Sequence, residues 1–261
     1  MIDIVTAPPL WIPPRPAIIR ASDLVPPAIL QAVVMPGMGA GLGAMAPTVA
    51  AGTALTAVTF RASSTSTSAS ITLPAGAADG DFCIIFEVIK GADGVAIGIS
   101  APSGWSLGGG GDQLGSGNTT HGVRFQGYWK VLNAADISAG SVTGADGSVG
   151  DAKIALCFKP NTGAVITTAT IALSDRQSAT GDPADVTIDA TGAATPNVLV
   201  ANVASDDTTP VFNPESPAFD AEVTVTRLRA AYKINASASH TFGQVDTADR
   251  NHVAGALFTF A

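Results

Sequence analysis

Glutamate and lysine are scarce in this chain, and that scarcity narrows the fold. Three glutamates (Glu87, Glu215, Glu222) and five lysines stand against 18 aspartates, and charged residues make up 13% of 261 positions. An average soluble domain carries about 25%. Glu and Lys favour helix interiors, whereas Asp favours turns and caps, which argues against a mainly helical fold. Cysteine is scarce too. Cys83 and Cys157 are the only two, too few for a disulfide framework. Each lies in an apolar strand-like run, so two buried thiols are expected, with one disulfide between neighbouring strands as the alternative. Neither has a histidine neighbour that would mark a nucleophile.

Other absences exclude functions. The three histidines, His121, His240 and His252, share no metal-ligand spacing with one another, with cysteine or with an acid. No Gly-x-Ser-x-Gly elbow occurs. The run Gly108 to Gly111 is not followed by Gly-Lys-Ser/Thr, so it is no phosphate loop. Lys and Arg are nowhere clustered and the net charge is −8; such a surface repels nucleic-acid phosphate, and no nucleic-acid partner is expected. From Leu24 to Phe60 no residue is charged, but Pro26, Pro27, Pro36, Pro47, Gly37, Gly39, Gly41 and Gly43 interrupt the stretch. A helix crossing lipid needs about 20 unbroken apolar residues, so no membrane span is expected. Met1-Ile2-Asp3 opens with an acid and prolines follow, unlike a signal peptide.

What is present divides near residue 50. Nine of the 17 prolines lie at or before Pro47. Ala7-Pro8-Pro9-Leu10-Trp11-Ile12-Pro13-Pro14-Arg15-Pro16 cannot be helix or central strand, because proline fixes φ, removes a donor and pushes the preceding residue to extended geometry. A polyproline-like arm over 1–50 is expected. A solvated linker would be polar, yet this one carries Trp11, Ile12, Ile18, Ile19 and Leu30. These are the candidate contacts to a partner or a sister subunit, since an extended strip builds no core of its own.

From about Thr53 the pattern becomes period-two runs between turn signals. Phe82 to Lys90 is apolar on both faces, as a central strand is. Gly122 to Val131 alternates, with Val123, Phe125, Trp129 and Val131 opposite Arg124, Gln126, Tyr128 and Lys130, which reads as a half-buried strand. Lys153 to Phe158 turns Ile154, Leu156 and Phe158 inward and leaves Cys157 partly covered beside Lys153 and Lys159. The inward phase shifts between Val225 and Leu228, requiring a bulge or tight turn near Arg227. About a dozen strands are expected, with a single helical turn at Ala134-Ala135-Asp136. The fold class is therefore all-β: an antiparallel β-sandwich, jelly-roll-like, over 51–261 behind the arm.

Chemistry is harder to place. The Asp-rich turns (Asp79-Gly80-Asp81, Asp146 to Asp151, Asp182 to Asp185, Asp206-Asp207) lack an EF-hand pattern, and turn hydrogen bonding accounts for Asp there. No metal or cofactor is expected. A hydrolase acting on polysaccharide needs paired carboxylates beside a cleft, and no pair is nominated. Glycan binding would use exposed aromatics beside Asp and Asn. Trp105 and Tyr128 are the candidates, with burial or a subunit contact as the competing role for both.

Three strings carry a resemblance. Ile71-Thr72-Leu73-Pro74-Ala75-Gly76-Ala77-Ala78-Asp79-Gly80-Asp81, Ala101-Pro102-Ser103-Gly104-Trp105-Ser106-Leu107 and Phe125-Gln126-Gly127-Tyr128-Trp129-Lys130-Val131 are similar to a β-sandwich module in virion proteins of tailed bacteriophages and gene transfer agents. The similarity spans 53–160, and the second half departs from it. The resemblance implies a place on the virion, as head decoration, head fibre or tail fibre. It also implies no catalytic residues, and other virion proteins, of capsid or tail, as partners. A homo-oligomer would follow, with a trimer suiting a fibre.

Overall fold

The computed structural model describes residues 53–90, 101–107, 116–118, 123–144, 152–180, 182–205, 209–245 and 250–261. The arm and its candidates Trp11, Ile12, Ile18, Ile19 and Leu30 lie outside these residues.

The first half holds β1 (Val58–Ser66), β2 (Ser70–Thr72), β3 (Phe82–Lys90), β4 (Ser106–Leu107), β5 (Ser116–Asn118), β6 (Val123–Val131), helix α1 (Ala134–Ala139), β7 (Ser141–Thr143) and β8 (Ala152–Pro160). The second half holds β9 (Ala169–Thr180), β10 (Val186–Asp189), β11 (Asn197–Ser205), β12 (Phe212–Ser216), β13 (Ala221–Val225), β14 (Leu228–Ile234), β15 (Ser239–Gln244) and β16 (Arg250–Phe260). All pairings are antiparallel, and the described residues are mostly strand with one short helix, as the composition suggests. The first main sheet runs β1-β8-β3-β6-β4, with β5 also on β6; the second runs β13-β14-β11-β16-β9. Two small sheets, β2-β7 and β10-β15-β12, complete the set.

Alternation decides where the core sits. On β3, Phe82, Ile84, Phe86 and Val88 share one buried cluster with Ile154, Leu156 and Phe158 of β8. Val198 and Val200 of β11, Leu228 and Tyr232 of β14 and Phe258 of β16 belong to the same cluster, so the main sheets meet across it. Phe82, at the start of β3, joins the two sheets at one end of it, with ring centroids 4.8 Å from Phe258, 5.1 Å from Phe260 and 6.0 Å from Trp129. The opposite faces are buried as well. Cys83, Ile85, Tyr128 and Cys157 lie under Ile71 and Val142 of the β2-β7 pair and Leu73 just after β2, and beside Ile137 of α1. Leu199, Val203, Val253 and Leu257 lie under Val186, Ile188 and Phe242 of the β10-β15-β12 sheet. Each main sheet thus carries its own cover.

The covers correct two expectations. Tyr128 and Gln126, read as the exposed side of a half-buried strand, are fully buried, and so are Cys157 and Lys153. The small β2-β7 sheet roofs that face, and its three-residue strands are too short to show a period. The strand spans of β3 and β6 match expectation closely. The phase shift at Arg227 is a two-residue hairpin joining Val225 to Leu228, with Thr226 at φ 32°. The helical turn is α1, closed by a capping box on Asn133 and ended by left-handed Gly140.

Jelly-roll connectivity does not hold either. Such folds pass strands between the two sheets, whereas here the first half builds one main sheet and the second half builds the other. The two halves instead repeat one topology. Strand orders β1-β8-β3-β6 and β9-β16-β11-β14 correspond, as do the covers β2-β7 and β10-β15. Details correspond too. The edge strand bulges at the same place, leaving Arg61 unpaired in β1 and Ala172 in β9. Gly76 and Gly192 turn at φ 73° and 72°, each followed by Ala-Ala and, three residues later, by a buried Asp81 or Asn197. Leu132 N donates to Asp81 O at 2.8 Å, as Asn235 N does to Asn197 O at 2.9 Å. Trp129-Lys130-Val131 on β6 matches Tyr232-Lys233-Ile234 on β14 in register against β3 and β11.

β1 begins and β16 finishes at the same end of the body, the end marked by Phe82. Asn161 N bonds Ala57 O and Ala261 N bonds Thr168 O, so the gap from Ala261 to Ala57 mirrors the one that residues 162–167 already span. A permuted chain opened between Thr162 and Gly163, with Ala261 joined to Thr53 by a short Gly/Ser linker, is expected to fold. Its urea unfolding should be one cooperative transition within about 2 kcal/mol of the parent, the size of an ordinary loop change. A permutant without a cooperative transition would contradict the repeat.

Candidate functional site

Trp105 and Tyr128 do come together. Their rings meet edge to face, with centroids 5.6 Å apart and planes at 89°, and β4 pairs Leu107 with Tyr128. The turn that delivers Trp105 is closed by its N–H donating to Pro102 O at 3.0 Å, with Gly104 at φ 79°. Tyr128 is 0% exposed. A sugar platform needs an open ring face, so Tyr128 is not one. Half-buried Trp105 packs on the cluster under the β2-β7 cover. A shallow surface depression lies at the edge of that cover, lined by Leu73, Pro74, Gly76, Ala77, Ile137 and Gly140. Its lining carries no ionisable side chain.

Beside it sits a polar cluster around Asp81, which is 1% exposed. Its carboxylate accepts from Arg61 Nη2 at 3.0 Å, from Ala78 N at 2.8 Å and from Cys157 Sγ at 3.6 Å. Arg61 is the residue the β1 bulge leaves unpaired, and re-aiming a side chain is what bulges do. The second half holds the equivalent turn without charge. Ala172 occupies the bulge, and Asn197 Nδ2 donates to Ala194 O at 2.9 Å and Ala236 O at 3.2 Å. A charged pair in one half is thus a neutral amide in the other.

The second polar cluster is a row across three strands. Glu87 of β3 stands opposite both Gln126 of β6 and Lys153 of β8. Lys153 Nζ lies 2.8 Å from Glu87 Oε1, with both side chains 0% exposed. Gln126 Nε2 donates to Glu87 Oε2 at 2.5 Å, and Lys153 Nζ donates to Ser68 O at 3.0 Å. Gly144 lies directly over the pair, where a Cβ would collide with Glu87 Oε1. Sequence reading missed this row. Glu87 was visible as the lone acid on an apolar strand, but its partners follow only from register.

The described histidines belong to the packing. His252 stacks flat on Phe125, with centroids 5.1 Å apart. His240 stacks on Phe219 at 6.1 Å; burial pushes its pKa down, helped by Lys233 and opposed by its bond to the Pro217 carbonyl and by Asp220. His121 lies outside the described residues. Among the described residues no group of three or more His, Cys, Asp or Glu is placed to hold a metal ion, and no helix is long and apolar enough to cross a membrane. Comparison with protein-family models, with curated proteins and with solved structures found no match.

Removing one member of a buried ion pair strands the other charge, which costs about 3–5 kcal/mol, whereas replacing both with apolar residues is often near neutral. Lys153→Met should therefore lower unfolding free energy by about that amount, and Glu87→Leu with Lys153→Met should recover most of it, as read by urea denaturation. His240 sets a pH dependence. Its folded pKa lies below the unfolded value, so the unfolded chain binds the proton more readily, and stability falls as pH drops through about 6.5. His240→Gln should flatten that slope in urea midpoints compared between about pH 7.5 and 5.5.

Proposed function

We propose that this protein is a non-enzymatic structural component of a tailed-phage or phage-like virion. In this reading a β-sandwich module over 51–261 is fastened to the particle by residues 1–50. The observation that carries the reading is compositional: an apolar, proline-broken leader placed ahead of an all-β body. Support for the sandwich comes from the one cluster that residues of both main sheets share. The buried acids Asp81 and Glu87 are engaged by internal partners, which fits an architectural role.

Extended apolar segments bind by adding main-chain hydrogen bonds and filling grooves. Each Å² of apolar area covered contributes about 25 cal/mol before ordering costs, and proline lowers those costs by restricting the free arm. Trp11 is the proposed anchor, supported by Ile12, Ile18, Ile19 and Leu30. Partners are other virion proteins of the capsid or tail, and the module works as a homo-oligomer. Buried Tyr128 takes away the ring that a glycan-binding reading needed most.

Deleting residues 2–50 should leave a soluble, cooperatively folded β body that no longer joins particles. Trp11→Ala in the full chain should cut occupancy about tenfold or more, the effect of losing one buried aromatic anchor. Occupancy is read by quantitative mass spectrometry of purified particles, and normal occupancy of the deletion variant would overturn the proposal.

A further inference from the structure

The chain's only two cysteines, separated by residues 84–156, fall opposite one another. Cys83 of β3 pairs in register with Cys157 of β8. Both are fully buried and both are free thiols.

The kind of pair follows from backbone alternation. Asp81 O accepts from Leu132 N on the β6 side, so Cys83, two residues on, also turns its backbone polar groups toward β6. Asn161 N donates to Ala57 O on the β1 side, so Cys157 turns its groups toward β1. The two cysteines therefore form a non-hydrogen-bonded pair, whose Cα atoms lie about 4.5 Å apart. Disulfides span Cα separations of about 4.4–6.8 Å with Cβ atoms about 3.5–4.5 Å apart. Facing Cβ atoms in such a pair are near the upper end of that range, so a small local shift closes the bond. The repeat supplies a control. The same lattice position in the second half holds Leu199 opposite Leu257, which fills the space with no redox chemistry. Two facing leucines in one half correspond to two facing cysteines in the other.

We propose that Cys83 and Cys157 are a thiol–disulfide site, joined by a cross-strand bond when the chain folds in the presence of a low-molecular-weight disulfide and left as two buried thiols when it folds without one. The exchange balances. The thiolate of one cysteine attacks the small disulfide, forming a mixed disulfide and releasing one small thiol. The second cysteine, losing its proton, attacks the mixed disulfide, forms the protein S–S bond and releases the second small thiol. The protein loses two protons and two electrons, which the small disulfide takes up as it is reduced to two thiols. Folding is the time for this reaction. Once the β2-β7 cover is in place, Cys83 is buried in hydrogen-bonding contact with Cys157, which pushes its pKa up and keeps it from reacting as a thiolate. Closing the bond costs Asp81 the Cys157 donor but leaves it Arg61 and Ala78 N.

The test is to denature and reduce the full chain, then refold it in two arms, one with excess reduced glutathione and one with a mixture of reduced and oxidised glutathione of the kind that supports oxidative folding. Each product is alkylated under denaturing conditions and weighed. In the oxidised arm the monomer should be lighter by two hydrogens, take no alkyl group and yield a linked Cys83–Cys157 peptide. The reduced arm should take two alkyl groups. The closed form should melt on the order of 5–10 °C higher, from loop-closure entropy at this domain size. Two alkyl groups in the oxidised arm, a glutathione adduct in place of the link, a bond only between chains, or a lower melting point would overturn the proposal.

Discussion

The contact on which the rest of the body depends is the aromatic seam between the main sheets. Phe82 reaches Phe258 and Phe260 of the other sheet, and Phe60 stacks on Tyr232 at 4.4 Å. A sheet of half-apolar strands has two faces to cover, and the seam covers only one of them. The small covers are therefore obligatory: without β2-β7, the face carrying Ile85, Tyr128 and two thiols would be open to water. Burial on both sides also explains why the charges on β3 and β8 occur together. Glu87, Gln126 and Lys153 form a row because a charge in a doubly covered sheet must find partners in its own layer.

The repeat shows which features are skeletal and which are filling. Bulge, glycine turn, strand order and the aromatic-Lys-aliphatic run occur twice. The residues hung on them differ: Arg61 with Asp81 against Ala172 with Asn197, and Cys83 with Cys157 against Leu199 with Leu257. Each exchange involves both members of a contacting pair, as packing requires when a change to one side leaves a hole or a stranded polar group.

Much of the fold was legible in the chain. β6 and β8 announced themselves by alternation, β3 by an apolar run on both faces, and α1 by the Ala134-Ala135-Asp136 run. Most cover strands were legible as short runs, at Ser70 to Leu73, Asp185 to Asp189 and Ser239 to Phe242, but three-residue β7 carries no period, and no run shows which face it covers. That gap led to Tyr128 and Cys157 being read as surface or half-surface. The duplication was hidden for a related reason. Its clearest shared strings, Gly-Ala-Ala and an aromatic-Lys pair, are two or three residues long, and the glycine turn differs by one residue in its spacing from the preceding strand. Register, which joins Glu87 to Lys153 across two strands, is a property of pairing that no single segment displays.

The placement of β1 has a mechanical consequence. It is an edge strand, paired with β8 from Val58 to Ser66 except at the Arg61 bulge, and the chain enters it at the Phe82 end. Under the proposed attachment through residues 1–50, a pull directed along β1 would load that strand along its own axis. The ladder is then loaded in shear, with its bonds sharing the force at once instead of peeling one by one. Under the attachment proposed above, such a pull would open the body only by breaking the β1–β8 ladder all at once.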